Sequence, residues 1–337
     1  MTTFVPPPLA IGLDIGGTKL AGGVVTSDGT VLERVRNVPT PGQGGDRFVS
    51  VLTRAIEDLR SRHPEVAAIG VGAAGLVSWP SGYLNWAPHN PYRDLPLRDV
   101  LEETTGLPTA VDNDANTAAW AEYRLGTGCP DFAMITVGTG LGGAVILDGE
   151  LRRGHHGFAS EIGHIIVDPA SSIRCACGHL GCLETVASGS ALGRHGRQAA
   201  AADPGGMLAT LANGSANVTG ETVWAAAQAG DEVALSLFGI IGRWLGIGSA
   251  TLASLFDVDR IVIGGGVAAT GDLLLEPTRA SLGQHLFGAA HRPPVDIVPA
   301  SLGPDAGWIG SGLLALDTMC LEEPPRRVDQ RDPAAAV

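Results

Sequence analysis

Apolar residues along this chain fall in short, bounded runs. Leu9-Ala10-Ile11-Gly12-Leu13 reads as a buried strand, and Leu20-Ala21-Gly22-Gly23-Val24-Val25 as a second, closed by the turn signal Asp28-Gly29. Residues 46–59 carry apolar side chains at Phe48, Val51, Leu52, Ala55, Ile56 and Leu59, the spacing of an amphipathic helix. Residues 66–71 form a buried strand that breaks at Gly72-Ala73-Ala74-Gly75. A long polar and aromatic loop is expected over 79–96, a short helix over 97–105, a strand over 109–111 and a helix over 115–123. Strands return at 133–137 and 144–147. The chain then reads as a loop over 161–181 and as mostly helical to about 255, with a mobile Ala/Gly stretch at 199–206. Strands at 259–263 and 295–298 and a small-residue helix at 305–316 complete the pattern, which predicts α/β layers with mixed sheets.

The 337 residues suit two domains, and 45% hydrophobic against 17% charged residues gives each a core to bury. The net charge of −13, with no basic tract, argues against nucleic acid as a partner. Residues 1–8 lack the pattern of a signal peptide, and no apolar run reaches membrane-spanning length, so a cytoplasmic protein is expected. Residues 1–8 and the Pro-, Arg- and Asp-rich 322–337 read as disordered.

Two glycine turns carry the clearest chemistry. Asp14-Ile15-Gly16-Gly17-Thr18-Lys19 joins the first two strands, and Gly138-Thr139-Gly140-Leu141-Gly142-Gly143 joins a later pair. Glycines let backbone N–H groups approach an anion, Thr18 and Lys19 add a hydroxyl and a charge, and Asp14 suits hydrated Mg²⁺ beside phosphates. Gly22-Gly23 and Asp28-Gly29 recur at an offset of about 120 as Gly142-Gly143 and Asp148-Gly149, which suggests two related halves with a nucleotide between them. Three of five cysteines crowd at Cys175, Cys177 and Cys182, and in a reducing compartment such a cluster points to a metal. Zinc wants four ligands; His164, His179, His155 and His156 are candidates for the fourth. Asp114, at a helix start after Asn113, reads equally as a helix cap or as a catalytic carboxylate.

With Asp112-Asn113-Asp114-Ala115-Asn116, Glu161-Ile162-Gly163-His164, Gly181-Cys182-Leu183-Glu184 and Ile263-Gly264-Gly265-Gly266-Val267 in the same order, the chain resembles the ROK family of sugar kinases from residue 9 to 319. The resemblance implies a two-domain actin-like ATPase (ribonuclease H-like) fold with a cleft. A small domain, 9–112, would be completed by a final helix at 305–319, and a large domain, 113–304, would carry the metal site. It implies ATP-dependent phosphorylation of a hexose 6-hydroxyl, glucose first. An N-acetylhexosamine, N-acetylglucosamine or N-acetylmannosamine, is the alternative, and a non-catalytic sugar-sensing regulator a more distant one. It implies Asp114 as general base, with Gly75, Asn90, Asn113, Glu161, His164 and Glu184 at the sugar. ATP and Mg²⁺ would lie against Asp14, Gly16, Gly17, Thr18, Lys19, Gly138, Thr139, Gly140 and Gly264-Gly265-Gly266. A structural Zn²⁺ would sit on His164, Cys175, Cys177 and Cys182. Relatives often carry proline where this chain has Ala74, so the neighbouring sugar-side loop departs from the family pattern. A homodimer or homotetramer is expected, and polyphosphate as donor finds no basic track to support it.

Overall fold

The N-terminal apolar runs pair edge to edge before any helix intervenes. The structure is a computed structural model that describes residues 7–16, 19–39, 45–87 and 93–320. Strand β1 (Leu9–Ile15) pairs antiparallel with β2 (Lys19–Thr26), which pairs antiparallel with β3 (Val31–Pro39). Helix α1 (Gly45–Arg62) buries the expected stripe of Phe48, Leu52, Ile56 and Leu59 and returns the chain to β4 (Val66–Ala73), parallel to β1. A small meander follows: β5 (Leu76–Ser78), β6 (Tyr83–Trp86) and β7 (Leu95–Pro96). Then come α2 (Leu97–Thr105) and β8 (Thr109–Asn113), which closes the order β3-β2-β1-β4-β8.

Helix α3 (Asp114–Ala121) leads away from this sheet and ends in a π-helical turn, Glu122–Thr127. The second sheet holds β9 (Phe132–Val137), β10 (Leu141–Leu147), β11 (Glu150–Leu151), β12 (Arg260–Gly264) and β13 (Asp296–Pro299) in the order β11-β10-β9-β12-β13. Its antiparallel and parallel pairings match those of the first sheet strand for strand. The repeated glycine pairs therefore occupy equivalent strands, β2 and β10.

Between β11 and β12 lie α4 (Glu184–Ala187), α5 (Gly189–Ala202), α6 (Met207–Leu211), α7 (Gly220–Gln228) and α8 (Glu232–Phe256). Helix α8 is long and apolar enough to span a membrane by composition, but it buries Phe238, Ile241 and Leu245 in the core beside α9 (Asp272–His285). The last helix, α10 (Ala306–Cys320), packs back on β1 and β4 and crosses α3. Gly310 makes that crossing possible, because a Cβ there would strike the Thr117 carbonyl. A core of Trp308, Phe132, Met134, Val262 and Ala118 fills the seam between the two sheets.

Four local expectations change. The segment 79–96 is not all loop, because Tyr83–Trp86 adds to β5 and Leu95–Pro96 adds to β6. The helix expected over 115–123 starts at Asp114 and turns π-helical at Glu122. The buried Glu122 carboxylate accepts from the Ser301 hydroxyl at 2.7 Å and the Leu302 N–H at 2.8 Å, which draws the turn toward the segment before α10. Residues 199–202 are not a mobile stretch; they are the last turn of α5. Pro8 is ordered, its carbonyl accepting from Ser27 N–H at 3.2 Å, while 1–6 and 321–337 lie outside the described residues.

Candidate active site

Strand β8 ends by delivering Asp112, Asn113 and Asp114 into the first turn of α3. Asn113 is the helix cap: its Oδ1 accepts from the N–H groups of Ala115 at 2.8 Å and Asn116 at 3.3 Å. Its Nδ2 donates to the Gly75 carbonyl at 3.1 Å. Gly75 holds a φ of +100°, open to glycine and costly for other residues. The cap role foreseen as one reading of Asp114 thus falls to its neighbour. Asp114 accepts from the Ala115 N–H at 2.9 Å through one oxygen.

Three carboxylates meet around this turn. Burial pushes Asp114 above the ordinary aspartate range, against a lowering by the Ala115 N–H. Burial, then the charge of Asp114, lifts Asp14 to about 7. Burial, then Asp114 and Glu184, lifts Glu161 to about 7. Asp14, at the end of β1, also touches the start of α10, where a Cβ on Gly307 would lie 2.5 Å from its Oδ2. Carboxylates whose charges raise one another in this way favour binding a cation or hydrogen-bond donors.

Glu184 begins α4 and ties two parts together. One oxygen accepts from the Leu141 N–H of the second glycine turn at 3.0 Å, and the other from the Cys175 thiol at 3.4 Å. Cys175 Sγ lies 3.6 Å from His164 Nδ1, and Cys177 Sγ lies 3.6 Å from Cys182 Sγ. The four ligand atoms lie within 4.8 Å of one another. A zinc tetrahedron with metal–sulfur bonds of about 2.3 Å has edges of roughly 3.7 Å, so the cluster fits that ion. Of the four histidines considered, His164 joins the cluster. The His179 ring reaches Cys177, at 3.6 Å, but is not part of the cluster, and His155 stacks edge-on against His156. Burial pushes the Cys182 thiol up to about 11, a trend a soft cation reverses because it deprotonates its thiol ligands.

The second glycine turn is stitched to α5, with Gly189 N–H donating to the Gly138 carbonyl at 2.8 Å. Beside it opens a cleft of about 660 Å³ lined by Gly138, Thr139, Ser190, Arg197, Glu221, Trp224 and Gly266. Gly264 and Gly265 close against β9 just behind it. Sequence reasoning missed Ser190, Arg197, Glu221 and Trp224. A capping box at Thr219 followed by a lone Trp in an Ala-rich helix singles out the segment of Glu221 and Trp224, but nothing in sequence marks its pairing with Ser190 and Arg197 on α5. Gly16 is described and exposed, whereas Gly17, Thr18, the Lys19 side chain and Asn90 lie outside the described residues.

Comparison with known proteins places this geometry in context. The ROK family description matches residues 10–318. A glucokinase of Streptomyces coelicolor is 43% identical over 312 residues, covering 91% of this chain and 97% of that protein. An N-acetylmannosamine kinase of Escherichia coli is 35% identical, covering 90% of this chain and 97% of that one. The crystal structure of a ROK glucokinase from Streptomyces griseus, in complex with glucose and AMPPNP, superposes with a TM-score of 0.84 at 42% identity. It covers 92% of this chain and 99% of that one.

Proposed function

Since this chain belongs to the ROK family, we propose that it is a glucokinase transferring the terminal phosphoryl group of ATP to the 6-hydroxyl of glucose. The observation that carries this reading is Asp114: a carboxylate raised by burial, freed from capping by Asn113, and facing Asp14 and Glu161. Such a group holds a sugar hydroxyl in line and accepts its proton as the new P–O bond forms. Asn113, Glu161, His164 and Glu184, with the backbone at Gly75 and the loop containing Asn90, would bind the remaining hydroxyls. His164 would be fixed through Nδ1 and would present Nε2 to the sugar.

The triphosphate would lie along Asp14 to Lys19 and Gly138 to Gly140, with the adenosine in the cleft walled by Trp224 and Gly266. Magnesium, held through Asp14, would neutralise charge developing on the phosphates. Closure of the two halves on sugar would exclude water from the transfer. Zinc on His164, Cys175, Cys177 and Cys182 would be structural, because no ligand position is left open. Thiols kept free for this metal, and the need for ATP, suit the cytoplasm.

Phosphorylation of N-acetylmannosamine is the second reading, favoured by the 35% identity to kinases of that sugar. A coupled ADP-release assay across glucose, mannose, N-acetylglucosamine and N-acetylmannosamine separates the two. Turnover on an N-acetylhexosamine with none on glucose would move the assignment to that sugar.

A further inference from the structure

Asp112 and Arg153 stand 41 positions apart in sequence and form the one ion pair among the described residues whose carboxylate is wholly buried. Taking that carboxylate out of water is costly, and an apolar pair of the same volume would hold the segments together at lower cost. The pair is built for direction. Asp112 Oδ1 accepts from the Asn113 N–H at 2.7 Å and from Asn116 Nδ2 at 2.8 Å. Its Oδ2 accepts from Arg153 Nε at 2.7 Å. The Arg153 guanidinium carbon then lies over Trp79, 3.9 Å from the ring centroid.

Each partner leads to a carboxylate of the site. Asp112 precedes Asn113 and Asp114. Arg153 opens the loop after β11, closed by the Ala159 N–H donating to the Arg153 carbonyl at 3.0 Å, and this loop delivers Glu161. Trp79 belongs to the loop between β5 and β6, and its N–H donates to the His156 carbonyl of the same Arg153 loop at 3.2 Å. One planar cation therefore sets three segments against each other. A flat, fork-shaped group fixes angle as well as distance, which the ammonium of lysine does not.

We propose that Arg153 is a positioning residue for phosphoryl transfer, aligning the Asp114 turn with the loop that carries Glu161. This rests on the kinase reading above. It takes no part in proton transfer or phosphate binding and acts by holding those carboxylates in register.

The test compares Arg153→Lys, Arg153→Met and the double variant Asp112→Asn/Arg153→Met, measuring kcat, KM for glucose and for ATP, and melting temperature. The double variant removes both charges, so it recovers stability lost by leaving Asp112 unpaired. Misplacement of reacting groups by about 1 Å costs up to roughly 100-fold in rate. Expected is a loss of kcat of about 10-fold or more in all three variants, with KM for ATP within about threefold of wild type, persisting in the double variant after its melting temperature recovers. Recovery of kcat along with melting temperature would overturn the proposal and leave the pair a structural one. Should the Met-containing variants fail to fold, Arg153→Lys decides alone: full turnover at wild-type melting temperature contradicts the assignment. Wild-type protein without phosphotransfer to any hexose would instead refute the kinase reading. Glucose affinity of Arg153→Lys by calorimetry then tests Arg153 separately, an unchanged affinity counting against it.

Discussion

Asn113 caps helix α3, and Asp114 beside it does not: the Asn113 oxygen takes the Ala115 and Asn116 N–H groups while its amide reaches the Gly75 carbonyl. The cap and the proposed base are thus neighbours with separate duties. Asn113→Ala should lose the cap and the link to Gly75, costing about 1–2 kcal/mol. Thermal unfolding checks this, and an unchanged melting temperature would show that another group caps the helix.

Turnover should rise with pH along a limb set by the cluster of Asp14, Asp114 and Glu161, placed above the ordinary aspartate value of 3.8 because burial raises Asp114. Stability should run the other way. Asp14, raised from 3.8 to about 7, contributes stability that is fully present below 3.8 and lost as pH rises through about 7. Asp14→Asn should therefore stabilise the unliganded protein at pH 8, on the order of 1–2 kcal/mol, while abolishing turnover. Melting curves at pH 5 and pH 8 test the sign: the gain should shrink at the lower pH.

Ser160 sits just before Glu161 with a φ of +69°, and its hydroxyl is buried without a protein partner. Ser160→Gly relieves the backbone strain and the unpaired hydroxyl, offset in part by the freer unfolded chain. A net gain of about 1 kcal/mol is expected, or roughly 2–4 °C in melting temperature. A loss of stability would mean that the hydroxyl is engaged.

Elemental analysis of purified protein should find one zinc per chain. Cys177→Ser should lower that content and raise KM for glucose through the freed His164, leaving KM for ATP near wild type. A fully active, metal-free preparation would remove zinc from the account.

The parts legible in sequence were those whose signal is local. Each glycine turn lies between two apolar runs, and the three cysteines fall within eight positions, so spacing alone exposes them. The shared order of the two sheets was foreshadowed by the recurring Gly-Gly and Asp-Gly pairs. Contacts between distant segments left no such trace. Arg153 meets Asp112 across 41 positions, and nothing around it in sequence marks it from other arginines. Trp224 and Arg197 wall a cleft because α5 and α7 pack side by side, which helical periodicity does not reveal. The meander at β5 to β7 carries no sequence signature, because two- to four-residue strands are too short to show alternation.

The most direct measurement is kcat for glucose phosphorylation by Asp114→Asn, taken with the melting temperature of the same protein. Asparagine keeps the shape and the hydrogen bond to Ala115 but cannot take the proton of the 6-hydroxyl. The account predicts a loss of about 10² to 10⁴ in kcat with ATP binding retained and little change in melting temperature. Turnover within threefold of wild type would contradict it and send the search for the base elsewhere in the cleft.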